Sequence, residues 1–88
     1  MAERKVVVAS KVGLHARPAA TLAKAAGAAP VPVTIAKEGG NPVAADSVLN
    51  LMTLGAEHGD IVVLAAEGDG AEEILDALEK LVATDLDA

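Results

Sequence analysis

The chain has 88 residues, no cysteine, no aromatic residue and a formal net charge of −6 at pH 7. This length predicts one domain over residues 1–88, and without cysteine there is no disulfide framework and no thiolate ligand for a metal. Acidic charge without aromatic rings argues against nucleic-acid binding, and the absence of a long apolar N-terminal run predicts a cytoplasmic protein without membrane insertion.

The first half of the chain predicts two strands, a helix and a short third strand. Residues 5–10 are rich in β-branched side chains and predict a strand. Residues 16–26 predict a helix with a stripe of small apolar side chains, ended by Gly27 as a C-cap. Residues 31–37 predict a strand that Pro30 and Pro32 confine to a sheet edge or to its own first positions. A glycine-rich turn then leads to a weak strand over residues 42–44.

The second half predicts a short helix, a strand and a long helix. Ser47 is a preferred N-cap residue for a helix over residues 47–54, and residues 60–67 predict a strand. Asp69 and Glu72 have the spacing of a capping box that opens the last helix. Its apolar residues follow the 3.6-residue period: Ala71, Ile74, Leu75, Leu78, Leu81 and Val82.

The element order β-α-β-β-α-β-α predicts an α+β fold. We expect an open-faced two-layer β-sandwich, in which a four-stranded antiparallel sheet is covered on one face by three helices.

The positive charges are concentrated at the start of this acidic chain. Five cations precede residue 25, against the single acid Glu3: Arg4, Lys5, Lys11, Arg17 and Lys24. Such a basic patch predicts an acidic protein partner.

His15 and Arg17 stand where the first helix is predicted to begin. Backbone N–H groups without intrahelical partners and the helix dipole favour anions at this end, and Pro18 fits because it lacks an N–H. The same field favours the neutral, nucleophilic imidazole, and an arginine fork suits phosphoryl oxygens. From the residues alone, a solvated helix end and a site for an inorganic anion remain alternatives.

Three segments together resemble the HPr family, the histidine-containing phosphocarriers of the bacterial phosphoenolpyruvate:sugar phosphotransferase system. They are Gly13-Leu-His-Ala-Arg-Pro-Ala19, Asp46-Ser-Val-Leu-Asn-Leu-Met-Thr-Leu-Gly55 and Ala66-Glu-Gly68, and the resemblance spans the whole chain.

The resemblance implies a phosphocarrier that is not itself an enzyme. His15 would accept a phosphoryl group on Nδ1 from phosphorylated enzyme I, which phosphoenolpyruvate charges, and pass it to EIIA units of sugar permeases. Arg17 would stabilise the phosphoryl group in both transfers. No cofactor or metal is implied, and a monomer is expected. The alternative of the same fold is a regulatory HPr-like protein that controls other proteins by its phosphorylation state.

The resemblance also places Ser47 at a position that is a regulatory phosphorylation site for a serine kinase in some bacteria. The chain departs from the family pattern beside it, with Asp46 where many members have lysine and Asn50 where many have glycine or lysine. A carboxylate adjacent to a phosphoserine repels the dianion. We therefore expect the N-cap to be the main role of Ser47.

The second predicted helix carries more apolar residues than one face can bury. Val48, Leu51 and Leu54 have the spacing of a core face, which leaves Leu49 and Met52 as a surface patch. In the family this helix and the one after the active histidine form one docking surface, so Arg17 and Lys24 would join the patch. The alternative is that both apolar residues close the core.

Two further groups have ordinary structural explanations. His58 would lie at a helix C-terminus, where the dipole favours a cation, and Glu57, His58 and Asp60 are a weak pattern for a metal site. The acids of the last helix predict a solvated face: Glu72, Glu73, Asp76 and Glu79.

Overall fold

The computed structural model describes residues 2–84 and confirms the predicted α+β fold. One four-stranded antiparallel sheet has the strand order β1-β4-β2-β3. The elements are β1 (Ala2–Val7), α1 (Ala16–Gly27), β2 (Val33–Lys37), β3 (Val43–Ala44), α2 (Val48–Thr53), β4 (Ile61–Ala66) and α3 (Ala71–Val82).

The helices cover one face of the sheet because side chains alternate between its two faces. In β1, Val6 is buried in the core, whereas the neighbouring Val7 is exposed on the open face. Val6 pairs with Val62 of β4, which is also buried. The largest fully buried side chains are aliphatic: Leu22, Ile35, Leu51, Leu64, Leu75 and Leu78, together with Val8, Val62 and Pro18.

Two strands differ in extent or place from the prediction. β1 starts at Ala2 and ends at Val7, because its pairing with β4 covers those residues and the chain then turns away from the sheet. β2 begins at Val33, after both prolines, and lies between β4 and β3. Of the two alternatives that the prolines leave open, the structure therefore supports the limit on the start of β2 and excludes the edge position.

Two helix termini are built differently from the prediction. Gly27 is the last residue of α1 and not its cap, and Ala28 closes the helix with a right-handed φ of −86°. The capping box of Asp69 and Glu72 is also wrong. Gly70 occupies the N-cap of α3 at φ 88°, and no side chain caps that end. Glycine fits because a left-handed backbone is strained for other residues.

The acids of α3 bind a cation instead of forming only a solvated face. Arg4 Nη1 donates to Asp76 at 2.5 Å and to Glu79 at 3.3 Å, and its Nη2 donates to Glu72. The hydrogen bond to Asp76 has the largest effect on the pKa of Arg4, and the hydrogen bond to Glu72 has the next largest. Both raise this pKa above its ordinary value. Of the acids predicted to be solvated, three therefore contact Arg4.

The predicted basic patch is divided by these contacts. Arg4 is bound to α3, and Lys5 Nζ lies 3.3 Å from a carboxylate oxygen of Glu38. Lys11, Arg17 and Lys24 have exposed side chains and remain as the cations near α1. Three of the five cations of the predicted patch therefore lie near α1, whereas Arg4 and Lys5 pair with carboxylates.

Helices α1 and α2 run in opposite directions on the covered face. The N-terminal side of α1 meets the segment after α2, since Leu14 N donates to Ala56 O at 3.0 Å. At the other end, a Cβ on Gly27 would lie 3.8 Å from the Cβ of Asp46, just before α2. Within residues 2–84, none of the helices has the length and apolar character needed to cross a bilayer.

Candidate functional site

His15 lies at the N-cap of α1. Its backbone is extended, with φ −122° and ψ 159°, and its side chain makes no capping hydrogen bond to the helix. The residue is half-buried, so part of it remains accessible from solvent. The structure thus places His15 at the helix end that the sequence predicts.

The first turn of α1 presents backbone donors beside His15. The helix begins at Ala16, the earlier of the two starts that the sequence leaves open, and Ala16 has a left-handed φ of 49°. Pro18 contributes no N–H, so the amides of Ala16 and Arg17 are the donors of this turn that lack intrahelical acceptors. Together with the dipole of a 12-residue helix, they favour an anion next to His15.

Arg17 and Lys24 add positive charge along α1. Both side chains are exposed. They are seven residues apart, so they lie on similar sides of the helix, with about 10 Å of axial rise between them. Arg17 is in the first turn with His15, whereas Lys24 is in the last turn. The arginine therefore lies at the same end of the helix as His15, and the lysine lies at the other end.

The loop that leads to His15 requires glycine at position 13. Gly13 has a φ of 71°, and its N–H donates to Ser10 O at 3.0 Å. A Cβ at this position would lie 2.4 Å from Ala56 O and 2.8 Å from Glu57 Cα. Both the backbone conformation and the close approach of two chain segments therefore select glycine.

His58 lies away from any helix end, so the predicted interaction with a helix dipole is wrong. α2 ends at Thr53, and the Nδ1 atom of His58 lies 3.2 Å from Ala9 O and 3.3 Å from Ser10 O. The imidazole therefore links two segments that are far apart in the sequence. Sequence reasoning missed this contact because no local pattern connects the two segments.

Asp60 has a structural environment as well. Its carboxylate accepts a hydrogen bond from Glu57 N at 2.9 Å and lies 3.6 Å from Lys37 Nζ. The pKa of Asp60 lies below its ordinary value, mainly because of the hydrogen bond from Glu57 N. The positive charge of Lys37 lowers it further. In the part of the chain that the structure describes, no group of three His, Cys, Asp or Glu side chains is placed to hold a metal ion.

Ser47 caps the N-terminus of α2. Because α1 and α2 run in opposite directions, this terminus lies near the end of α1 that is far from His15. Its Oγ accepts a hydrogen bond from Asn50 N at 3.2 Å, which confirms the predicted N-cap. The side chain of Asn50 donates to Ala44 O at 3.2 Å and so ties the helix to β3. The asparagine that departs from the family pattern therefore has a structural role in this chain.

The outer side of α2 is apolar. Leu49 is 70% exposed and Met52 is 41% exposed, which confirms that these two side chains form surface and excludes the alternative that they close the core. Leu51 is buried as predicted, but Val48 is 40% exposed, so its assignment to the core is wrong. A six-residue helix buries only its innermost side chain fully.

Comparison with known proteins gives consistent results. The profile of the PTS-HPr family, described as "PTS HPr component phosphorylation site", matches residues 2–84. Phosphocarrier protein HPr of Streptomyces coelicolor is 53% identical over 99% of this chain and 94% of its own length. Phosphocarrier protein HPr of Haloferax volcanii is 41% identical over 93% of both chains.

Solved structures agree with the sequence comparison. The crystal structure of a phosphocarrier protein HPr from Bacillus anthracis has a TM-score of 0.86 to this chain at 36% identity, covering 92% of this chain and 95% of that one. HPr-C-His from Thermoanaerobacter tengcongensis also has a TM-score of 0.86, at 38% identity and 93% and 91% coverage.

Proposed function

The chain belongs to the HPr family of phosphocarrier proteins, and from that premise we propose that His15 carries a phosphoryl group from enzyme I to EIIA units of sugar permeases. In this role the protein is the substrate of one partner and the phosphoryl donor of the next. The reaction takes place in the cytoplasm, and the carrier acts as a monomer without a cofactor.

The chemical step is phosphoryl transfer to a neutral imidazole. The lone pair of His15 Nδ1 attacks the phosphorus atom as the bond between phosphorus and the donor atom of enzyme I breaks. In the second transfer the new P–N bond breaks and the phosphoryl group passes to EIIA. Because the transition state is loose and highly charged, stabilisation comes mainly from positioned positive groups.

The observation that carries this proposal is the position of His15 at the N-cap of a 12-residue helix, with its side chain only half-buried. Phosphoryl oxygens on the ring can meet the amides of the first helical turn and the positive end of the dipole. Arg17 supplies a planar fork of N–H donors from that same turn, and such a fork suits phosphoryl oxygens.

The test is incubation with enzyme I and phosphoenolpyruvate, read by intact mass and 31P NMR. We expect one phosphate per chain, labile in acid and stable in base, and none in His15→Ala. The control omits phosphoenolpyruvate and should leave the mass unchanged. A His15→Ala protein that still takes up phosphate from enzyme I would refute the assignment.

Arg17 gives a second, independent arm of the same experiment. Arg17→Ala should lower the rate of transfer by roughly 10-fold to 100-fold, because a positioned donor to the transition state is lost. Lys24→Ala, the control on the same helix, should raise KM and leave kcat unchanged. Equal effects of the two substitutions on kcat would mean that Arg17 provides only general positive charge.

The candidate docking surface consists of Leu49, Met52, Arg17 and Lys24. It combines apolar area with two cations, which suits acidic partners that bind transiently through a small interface. α1 and α2 run side by side on the covered face of the sheet, and this arrangement supports one continuous surface for both partners.

Regulatory phosphorylation of Ser47 is the second candidate role. One structural neighbour, the catabolite repression protein Crh of Bacillus subtilis, has a TM-score of 0.75 at 36% identity. In this chain the Ser47 hydroxyl caps α2 and Asp46 adds a neighbouring negative charge. We expect Ser47 to stay unmodified after incubation with a cognate kinase, and a phosphoserine found there by mass spectrometry would establish the regulatory role instead.

A further inference from the structure

The segment that presents His15 is held along its length by a second segment. We call residues 8–14 the presenting loop and residues 56–60 the backing segment. Val8 N donates to Asp60 O at 2.9 Å, and Gly59 N donates to Val8 O at 2.9 Å. At the other end of the loop, Leu14 N donates to Ala56 O at 3.0 Å. Both ends of the presenting loop are thus fixed by main-chain hydrogen bonds.

Between these two anchors, the contact is made by a side chain. His58 Nδ1 lies 3.2 Å from Ala9 O and 3.3 Å from Ser10 O. Both facing atoms are carbonyl oxygens, which only accept hydrogen bonds, so Nδ1 carries the proton and donates to both. The turn from Ser10 to Gly13 starts at this point, since Gly13 N donates to Ser10 O.

We infer that His58 is a positioning residue for phosphoryl transfer, because its imidazole fixes the presenting loop and thereby the place of His15 at the helix end. This inference rests on the proposed function of His15. His58 itself does not contact the reacting atoms. It acts through Ala9 and Ser10, six and five residues before the phosphoryl acceptor.

The reaction is sensitive to such positioning. Transfer requires the acceptor nitrogen in line with the bond that breaks, and small displacements of a reacting group reduce the rate strongly. Ser10 is buried and Gly13 packs against Ala56 and Glu57, so the loop has one well-defined arrangement against the backing segment. The loop is also tied to α3, since Ala9 N donates to Val82 O at 3.0 Å. Loss of the His58 contact removes the side-chain link between the middle of the loop and the backing segment.

The side-chain chemistry of position 58 offers a matched pair of variants. Asparagine places an N–H donor on the atom next to Cγ, as histidine does with Nδ1, whereas leucine has the same branched shape without a donor. The exposed position of His58 means that neither substitution opens a cavity in the core. His58→Asn and His58→Leu therefore differ mainly in the hydrogen bond.

The experiment measures initial rates of phosphorylation by enzyme I on the full chain. His58→Leu should lower kcat about threefold to tenfold, the factor that corresponds to one net hydrogen bond, with KM within twofold of the parent. His58→Asn should restore kcat to within twofold of the parent. A leucine variant that transfers at the parent rate, or an asparagine variant as slow as the leucine one, would overturn the inference.

NMR of the unphosphorylated protein provides a test that does not depend on the reaction. At a pH where the imidazoles are neutral, 15N shifts should show the proton of His58 on Nδ1, and a proton on Nε2 would overturn the inference. The His15 ring signals should shift in His58→Leu and not in His58→Asn. If enzyme I fails to phosphorylate the parent protein, the proposed function fails, while these signals still decide the positioning role.

Discussion

At the scale of single residues, Gly13 is the position where a side chain is least tolerated. Gly13→Ala adds a methyl group 2.4 Å from Ala56 O at a φ of 71°. Gly39→Ala is the matched control, because Gly39 also has a positive φ, of 84°, but a Cβ there meets nothing within 4 Å. We expect Gly39→Ala to cost about 1 kcal/mol from backbone strain alone and Gly13→Ala to cost at least about 1 kcal/mol more.

Urea unfolding of the two variants measures this difference. Equal free energies of unfolding for Gly13→Ala and Gly39→Ala would show that the loop yields to the added methyl. That result would also weaken the role assigned to the backing segment, since the close approach at Ala56 is part of how the loop is held.

Single residues also differ in how well their structural role can be predicted from the sequence. His15 and Arg17 can be named as candidates in advance, because they precede Pro18 at a predicted helix start, but their phosphoryl role is implied only by the resemblance to the HPr family. The contact of His58 with Ala9 spans 49 residues of sequence and depends on how two loops meet after the sheet has formed. No periodicity encodes such a meeting, so the sequence alone leads to the wrong explanation for His58.

At the scale of elements, α2 depends on its N-cap. Ser47→Ala removes the acceptor for Asn50 N and should lower the free energy of unfolding by about 1 kcal/mol. Ser47→Asn keeps a side-chain acceptor at the cap and should stay within a few tenths of a kcal/mol of the parent. Thermal and urea unfolding measure both, and an alanine variant as stable as the parent would mean that water replaces the cap without loss.

The contact between β1 and α3 depends on charge. Arg4 Nη1 lies 2.5 Å from Asp76 and 3.3 Å from Glu79, and its Nη2 pairs with Glu72. Arg4→Met keeps most of the aliphatic stem but loses the charge, so we expect a lower denaturation midpoint at low salt. The difference from the parent should shrink in 1 M salt, where exposed charges are screened.

Lys5→Met is the control for this prediction, because Lys5 lies on the same strand and, among residues 2–84, pairs with the single carboxylate of Glu38. A single exposed pair contributes little, so the Lys5 variant should stay closer to the parent. A midpoint difference for Arg4→Met that is unchanged by salt would assign the effect to packing and not to the three carboxylates.

Element order and type were predictable because they depend on periodicity, whereas the end of α1 and the start of α3 were not. The periodicity of its apolar residues is sufficient to predict α3. Its N-cap, however, is Gly70 in a left-handed conformation, and not Asp69. Glu72 fits a capping box by spacing, but the approach of β1 brings Arg4 to it instead. A tertiary contact with Arg4 thus replaced the local capping hydrogen bond that the spacing predicts for the Glu72 side chain.

At the scale of the whole molecule, the two layers separate two surfaces. Leu49 is 70% exposed on the helical layer, and Val7 is 54% exposed on the open face of the sheet. Both are apolar, so they allow one substitution to be compared on opposite sides of the protein. The proposed docking surface predicts that only the helical side is sensitive.

Leu49→Glu should raise KM for phosphorylation by enzyme I about tenfold or more, because it removes apolar contact area and places a negative charge against an acidic partner. Val7→Glu should leave KM unchanged, since the open face takes no part in docking. Circular dichroism and unfolding midpoints control for the fold, which both exposed positions should preserve. If the two variants show the same KM, docking does not use the apolar side of α2, and the cations of α1 would have to account for partner recognition without it.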